Sequence, residues 1–206
     1  MGLIKSEIRN GARILLNEII EGFWLNSQLE TWVDIAAIDI STKTNSYAQT
    51  VDITLKTDIQ TYDVADNYLK VLGAIYNHQG LKKTTPWMEG LQTAVQVGSP
   101  EYYFDIVEQV GFFPVPTTTD NNKLIKVYYA AVTNDIRNIQ LKFKLAAILF
   151  VTSMGLMKER QYAKAGQAYQ VYAQSLNIDL LNVQRENIDT PPSTDKYTLK
   201  VFEPKQ

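Results

Sequence analysis

The sequence predicts an α+β protein that is mainly helical: an antiparallel bundle of about four helices, a β-rich insertion between the second and the third, and an extended C-terminal tail. Three observations predict this. Apolar residues recur at spacings of three and four near both ends of the chain. Across the middle the period falls to two. Beyond residue 186 a Pro-Pro pair ends any helical pattern.

The first helix is expected over residues 3–20, with Ile4, Ile8, Ala12, Leu15, Leu16 and Ile19 on one face and Gly22 as its stop. Ser27 and Glu30 have the spacing of a capping box, in which a hydroxyl and a carboxylate satisfy free amides at a helix start. A second helix over 27–45 follows, carrying the stripe Leu29, Trp32, Val33, Ala36, Ala37 and Ile40.

The insertion is expected over residues 48–132. Val51, Ile53 and Leu55 alternate with Thr50, Asp52, Thr54 and Lys56, a strand pattern. Residues 60–64 and 69–77 read as the next strands, separated by a turn at Ala65-Asp66-Asn67. His78-Gln79-Gly80 turns the chain again, and Pro86 suits the first position of a short helix over 87–94. After Gly98-Ser99-Pro100, residues 101–107, 110–115 and 123–131 form strands, the last two split by a loop rich in Thr, Asp and Asn.

Helices over 138–157 and 160–185 complete the bundle. Leu141, Leu145, Ile148, Leu149, Thr152 and Leu156 share one face, and Tyr162, Ala165, Tyr169, Tyr172, Ala173, Leu176 and Leu180 share another. Lys158-Glu159-Arg160 is so short a connection that the two must be antiparallel. Residues 1–186 thus form one domain and 187–206 an extended arm. After Pro191 and Pro192, the segment 196–202 puts Tyr197, Leu199 and Val201 on one side of a strand and Thr198, Lys200 and Phe202 on the other.

Composition excludes several classes of function. The 206 residues carry 20 basic and 22 acidic side chains, a net charge of −2, so the basic excess of a sequence-specific DNA binder is missing. With no cysteine there is no disulfide, thiolate metal site or cysteine nucleophile. The single histidine, His78, reads as a surface turn residue, and no Gly-x-Ser-x-Gly elbow or Gly-rich phosphate loop accompanies it. Two acid pairs, Glu30 with Asp34 and Glu101 with Asp105, have spacings worth weighing for glycosidase chemistry, but neither has a catalytic context. Lys82-Lys83, Lys142 with Lys144, and Lys158, Arg160 and Lys164 read as solvated surface. No catalytic, metal or cofactor site is expected. The first 20 residues lack a secretory apolar core, and the longest apolar run, 145–151, is far short of a bilayer span, so a cytoplasm-like setting and no membrane contact are expected.

Several local features resemble one family. Phe23-Trp24 precedes a helix with Leu29 and Trp32. Residues 62–71 (Tyr-Asp-Val-Ala-Asp-Asn-Tyr-Leu-Lys-Val) resemble a strand, a turn and an aromatic-Leu restart, with Ala65 where the family turn often has Pro. Gly98-Ser99-Pro100-Glu101-Tyr102-Tyr103 resembles a Gly-x-Pro-x-x-Tyr lead into a strand. Phe112-Phe113-Pro114-Val115-Pro116 resembles the end of a hairpin arm, with Tyr128 and Tyr129 on the return strand. In this order the features resemble the head-to-tail adaptor (connector) proteins of tailed bacteriophages.

The resemblance implies a structural virion protein of the head-tail neck, assembled in the host cytoplasm. It implies a ring, usually of twelve subunits, bound beneath the portal and above a tail or nozzle protein. Helices would form the ring wall, and double-stranded DNA would pass through without sequence recognition. Pro191, Pro192, Tyr197, Leu199, Val201 and Phe202 are the expected contacts to portal or neighbouring subunit, and Tyr102, Tyr103, Phe112 and Phe113 those to subunit or tail. The alternatives are a virion-associated peptidoglycan hydrolase and a non-viral helical binding module.

Overall fold

The computed structural model of the chain describes residues 2–18, 20–85 and 96–188, and of 177–188 the backbone only. The helix expected over 87–94 lies outside the described residues. So does the arm with Pro191, Pro192, Tyr197, Leu199, Val201 and Phe202.

The first helix, α1 (Lys5–Leu15), is shorter than its apolar pattern. Leu16 leaves helical geometry and Asn17 takes φ 57°, in the left-handed region. The chain folds back there, and Ile8 and Ala12 are buried while Ile4 and Leu15 are exposed. The second helix, α2 (Asn26–Thr44), ends on Asn45 at φ 50°, whose N–H donates to the Ser41 carbonyl. Its stripe Leu29, Val33, Ala36, Ala37 and Ile40 is fully buried.

The expected capping box does not form. The residue before the helix is Leu25, which offers no side-chain cap. Instead Glu21 accepts from the Asn26 N–H at 2.8 Å, and Glu30 turns to Arg9 on α1 at 2.6 Å. A full positive charge across the helix pair outcompetes a local amide for that carboxylate.

At the far end of the chain, α3 (Lys144–Lys158) and α4 (Tyr162–Ile188) are joined through Arg160 at φ 62°. Gly155 of α3 admits the side chain of Leu16. A Cβ at Gly155 would stand 2.8 Å from Leu16 Cδ1. Ile8, Trp24, Leu29, Ile40, Phe143, Phe150 and Tyr172 share one core among the four helices.

Between α2 and α3 lie eight strands among the described residues: β1 (Ala48–Thr54), β2 (Thr61–Asp63), β3 (Tyr68–Tyr76), β4 (Gln79–Gly80), β5 (Lys82–Lys83), β6 (Tyr102–Ile106), β7 (Gln109–Phe113) and β8 (Leu124–Ala131). They build two four-stranded sheets, ordered β1-β8-β3-β4 and β2-β7-β6-β5. The inner faces enclose a second core: Ile53, Leu55, Val71, Tyr76, Ile125 and Val127 from one side, Tyr103, Val110 and Phe112 from the other.

This corrects the expected mainly helical bundle. The protein is a β-rich α+β fold, with four α-helices and eight strands in two sheets among the described residues. The strands form an independent two-layer core because their alternating apolar sets face one another, so they need no helix to cover them. The ladders are mostly antiparallel, with β8 central to its sheet and paired on its second side with β3 from Tyr68↔Ala131 to Tyr76↔Ile125. β1 runs beside β8 from Ala48↔Ala130 to Thr54↔Leu124, and β6 beside β7 from Tyr102↔Phe113 to Ile106↔Gln109.

Candidate functional site

The aromatic quartet of the β6–β7 hairpin divides by strand alternation. Tyr103 and Phe112 are opposite each other and point into the core between the sheets, where Tyr62 packs on Phe112 with ring centroids 5.7 Å apart. Tyr102 and Phe113 are opposite each other on the outer face, half-buried, 6.4 Å apart. Phe104 shares that outer face and is buried over Gly111, its cross-strand partner. A Cβ there would meet the ring at 2.1 Å. At the hairpin tip Val107 is 86 % exposed. The surface available for contact is therefore Tyr102, Phe113 and the tip, not all four rings.

The end of the helical core where α1 meets α2 carries a second surface. Ile20 and Phe23 are 79 % and 71 % exposed. Beneath them Arg13 is buried on the edge of the α1 apolar stripe. It donates to the Trp24 carbonyl at 2.6 Å, the Ile20 carbonyl at 3.2 Å and Asn26 Oδ1 at 2.9 Å, and pairs with Glu18 at 3.4 Å. Glu18 in turn accepts from the Trp24 N–H at 3.1 Å. The Trp24 indole donates to Glu159 Oε1 at 3.1 Å, and Lys158 sits 5.5 Å from its ring centre. The exposed apolar residues thus stand on a braced base. Sequence reading missed Arg13. The available signal was an arginine bordering an apolar face, followed within five residues by an acid.

A third feature is Asp120, in the loop between β7 and β8. Its carboxylate is fully buried and accepts from Tyr76 Oη at 2.6 Å, Ser99 Oγ at 3.0 Å, and the Thr117 hydroxyl and N–H at 2.9 and 3.3 Å, with Lys123 at 3.4 Å. Burial alone would raise its pKa. The hydrogen bonds from Tyr76, Thr117 and Ser99 outweigh it and hold the group at about 2. The same contact, after burial, pushes the Tyr76 phenol up. Sequence reading left Asp120 as loop polarity. The Thr-x-x-Asp spacing from Thr117 was its one local sign.

The edge strand β1 is the fourth. Leu55 N donates to the Lys123 carbonyl and the Tyr47 carbonyl accepts from Ala131 N, and the register with β8 is unbroken between them. Odd-numbered residues therefore bond to β8. The backbone N–H and C=O groups of Ala48, Thr50, Asp52 and Thr54 point to the other side. No described strand pairs with that side, and all four residues are exposed.

Three of the four weighed acids, Glu30, Asp34 and Asp105, have structural partners. Glu30 pairs with Arg9 and Asp34 with Lys5, each at 2.6 Å, in a cleft of about 590 Å³ that Asp135 and Arg137 also line. Asp105 links the sheets, accepting from the Tyr68 hydroxyl and from Val71 N at 3.2 Å. Burial raises its pKa, partly offset by that N–H. Glu101 is exposed at the start of β6. His78 is exposed in its turn at φ 63°. Lys144 pairs with Glu7, and Lys142 lies over Phe143. Among the described residues no group of three or more His, Asp and Glu could hold a metal, and no helix is long and apolar enough to cross a membrane.

Two hydrophobic cores, a braced base under Ile20 and Phe23, and an unpaired face of β1 among the described strands leave the protein with several exposed contact surfaces. A family model described as SU10 adaptor protein matches residues 5–194, and no curated protein matches the chain. The chain belongs to the SU10 adaptor protein family, a phage head-to-tail adaptor family, which bears out the resemblance read from the sequence.

Proposed function

We propose that the chain is a structural subunit of the phage neck: copies form a ring beneath the portal, extend the DNA channel and join head to tail. The family match over residues 5–194 carries this reading. Three physical features support it. A net charge of −2 suits a channel wall along which DNA must slide, because dense phosphate contacts would retain it. Ile20 and Phe23 present large apolar side chains on a rigid base, the usual form of an interface anchor. Of the carboxylates weighed for hydrolysis, Glu30 and Asp34 are engaged in ion pairs and Asp105 in a contact between the sheets, which favours a role in assembly over one in hydrolysis.

In this reading the arm 187–206, with Pro191, Pro192, Tyr197, Leu199, Val201 and Phe202, supplies an assembly contact to the portal or a neighbouring subunit. Tyr102, Phe113 and the Val107 tip offer contacts toward the tail or the next subunit. Electron microscopy of the purified chain mixed with the portal protein of the same phage tests the reading. Ring density on one portal face is expected, with at least a tenfold loss of portal-bound protein when residues 190–206 are removed. A full-length chain that leaves the portal bare would sink it.

A further inference from the structure

We infer that residues 196–202 of one copy pair as an added strand with the free edge of β1 in the neighbouring copy, so that subunits are linked by strand exchange. This rests on the ring reading above. β1 presents the backbone groups of four residues along an edge that no described strand covers, with no proline, lysine or bulge within it to block pairing. Such an edge is a template for an extended segment.

The segment Lys196-Tyr197-Thr198-Leu199-Lys200-Val201-Phe202 matches that template in pattern and charge. Placing Lys200 opposite Asp52 joins opposite charges on the outer face. The same register sets Val201 beside Val51 and Leu199 beside Ile53, extending the apolar inner face of the sheet. A shift by one residue would turn the apolar set outward, so the pattern selects the register.

Chain length favours a neighbour over the same copy. Lys43, near the end of α2, lies 3.2 Å from the Tyr169 hydroxyl, and Tyr172 bonds Asp39, so this part of α4 sits close to where β1 begins. From Tyr172 the helix runs on to Ile188, carrying the chain about 24 Å further at 1.5 Å per residue. Residues 189–195 span at most about 25 Å when fully extended. Returning to the copy's own β1 would use nearly all of that length, through a Pro-Pro pair that stiffens the path. The same length directed outward is free to meet a copy beside the first.

The absence of cysteine makes the test clean. Asp52→Cys and Lys200→Cys chains, each full length, are mixed in equal amounts, assembled on the portal and oxidised. Disulfide-linked dimers are expected from the mixture and not from either variant alone, and a ladder of linked multimers from the double variant. Portal-bound rings that yield no linked species, or a double variant that closes only within single chains, would overturn strand exchange and leave the ring reading standing. Failure of all variants and of the unaltered chain to assemble on the portal would overturn both.

Discussion

Arg13 gathers two backbone carbonyls, an amide oxygen and a carboxylate at the turn between α1 and α2, with Trp24 closing over the site. Removing its guanidinium leaves those acceptors without a donor in a dry place, which typically costs about 3 kcal/mol. Arg13→Ala is expected to lower stability by about that amount in urea unfolding. Arg13→Lys should recover less than half, because an ammonium lacks the planar fork that reaches Trp24 and Asn26 together. Asp120 gives a prediction with a sign. Its folded pKa of about 2 lies below the ordinary 3.8, so its stabilisation is complete above about pH 4 and is lost as pH falls through 2. Thermal melts should show Asp120→Asn clearly less stable at pH 7, with the gap to the unaltered chain closing between pH 4 and 2. Neither residue announced its role in the sequence. Periodicity assigns apolar positions to a face, but the burial of a charge depends on partners that only the folded chain assembles, such as Ser99 and Tyr76 for Asp120.

At the level of elements, the apolar stripes were the most legible part. Leu29, Val33, Ala36, Ala37 and Ile40 are buried as their spacing predicts, since a helix face is fixed by local geometry alone. The helix starts were less so, because Glu30 can serve a local amide or a distant arginine and the sequence does not rank them. Sheet assignment was the least legible. Alternation identifies a strand such as β6 but not its neighbours, and β5 joins it in parallel through only two residues, Lys82↔Tyr102 and Lys83↔Tyr103. For the same reason the quartet Tyr102, Tyr103, Phe112 and Phe113 read as one surface when the pleat sends half of it inward. The Phe104–Gly111 pair gives an element-scale prediction. Gly111→Ala forces the Phe104 ring off its seat and should cost about 2 kcal/mol, read as a lowered melting temperature. Combining it with Phe104→Ala should give less than the sum of the two single losses.

On the scale of the whole molecule, the correction from a mainly helical bundle to a β-rich α+β fold follows from the two separate cores. Composition and period disclose that strands are present. They do not disclose that ten residues from two sheets bury one another without helical help. The strands enter after Asn45 and leave before Asp135, and those two ends are held together: Ala48 is opposite Ala130, and Thr133 N donates to Ser41 Oγ at 3.2 Å. Replacing residues 46–132 with a short Gly-Ser linker is therefore expected to leave a folded helical unit. A cooperative thermal transition followed at the helical band of circular dichroism would establish it, and a gradual, non-cooperative loss of signal would refute it.

That side-by-side pair of crossings also decides how the molecule bears load. A pull that separates the strands from the helices runs along two covalent backbones in tension together, so no ladder hydrogen bond has to break for the connection to hold. Bending across the plane of the pair strains neither backbone along its length and works instead against lateral contacts such as Ser41–Thr133. Such a joint is expected to resist stretching more than tilting, the mechanical character of a strap hinge.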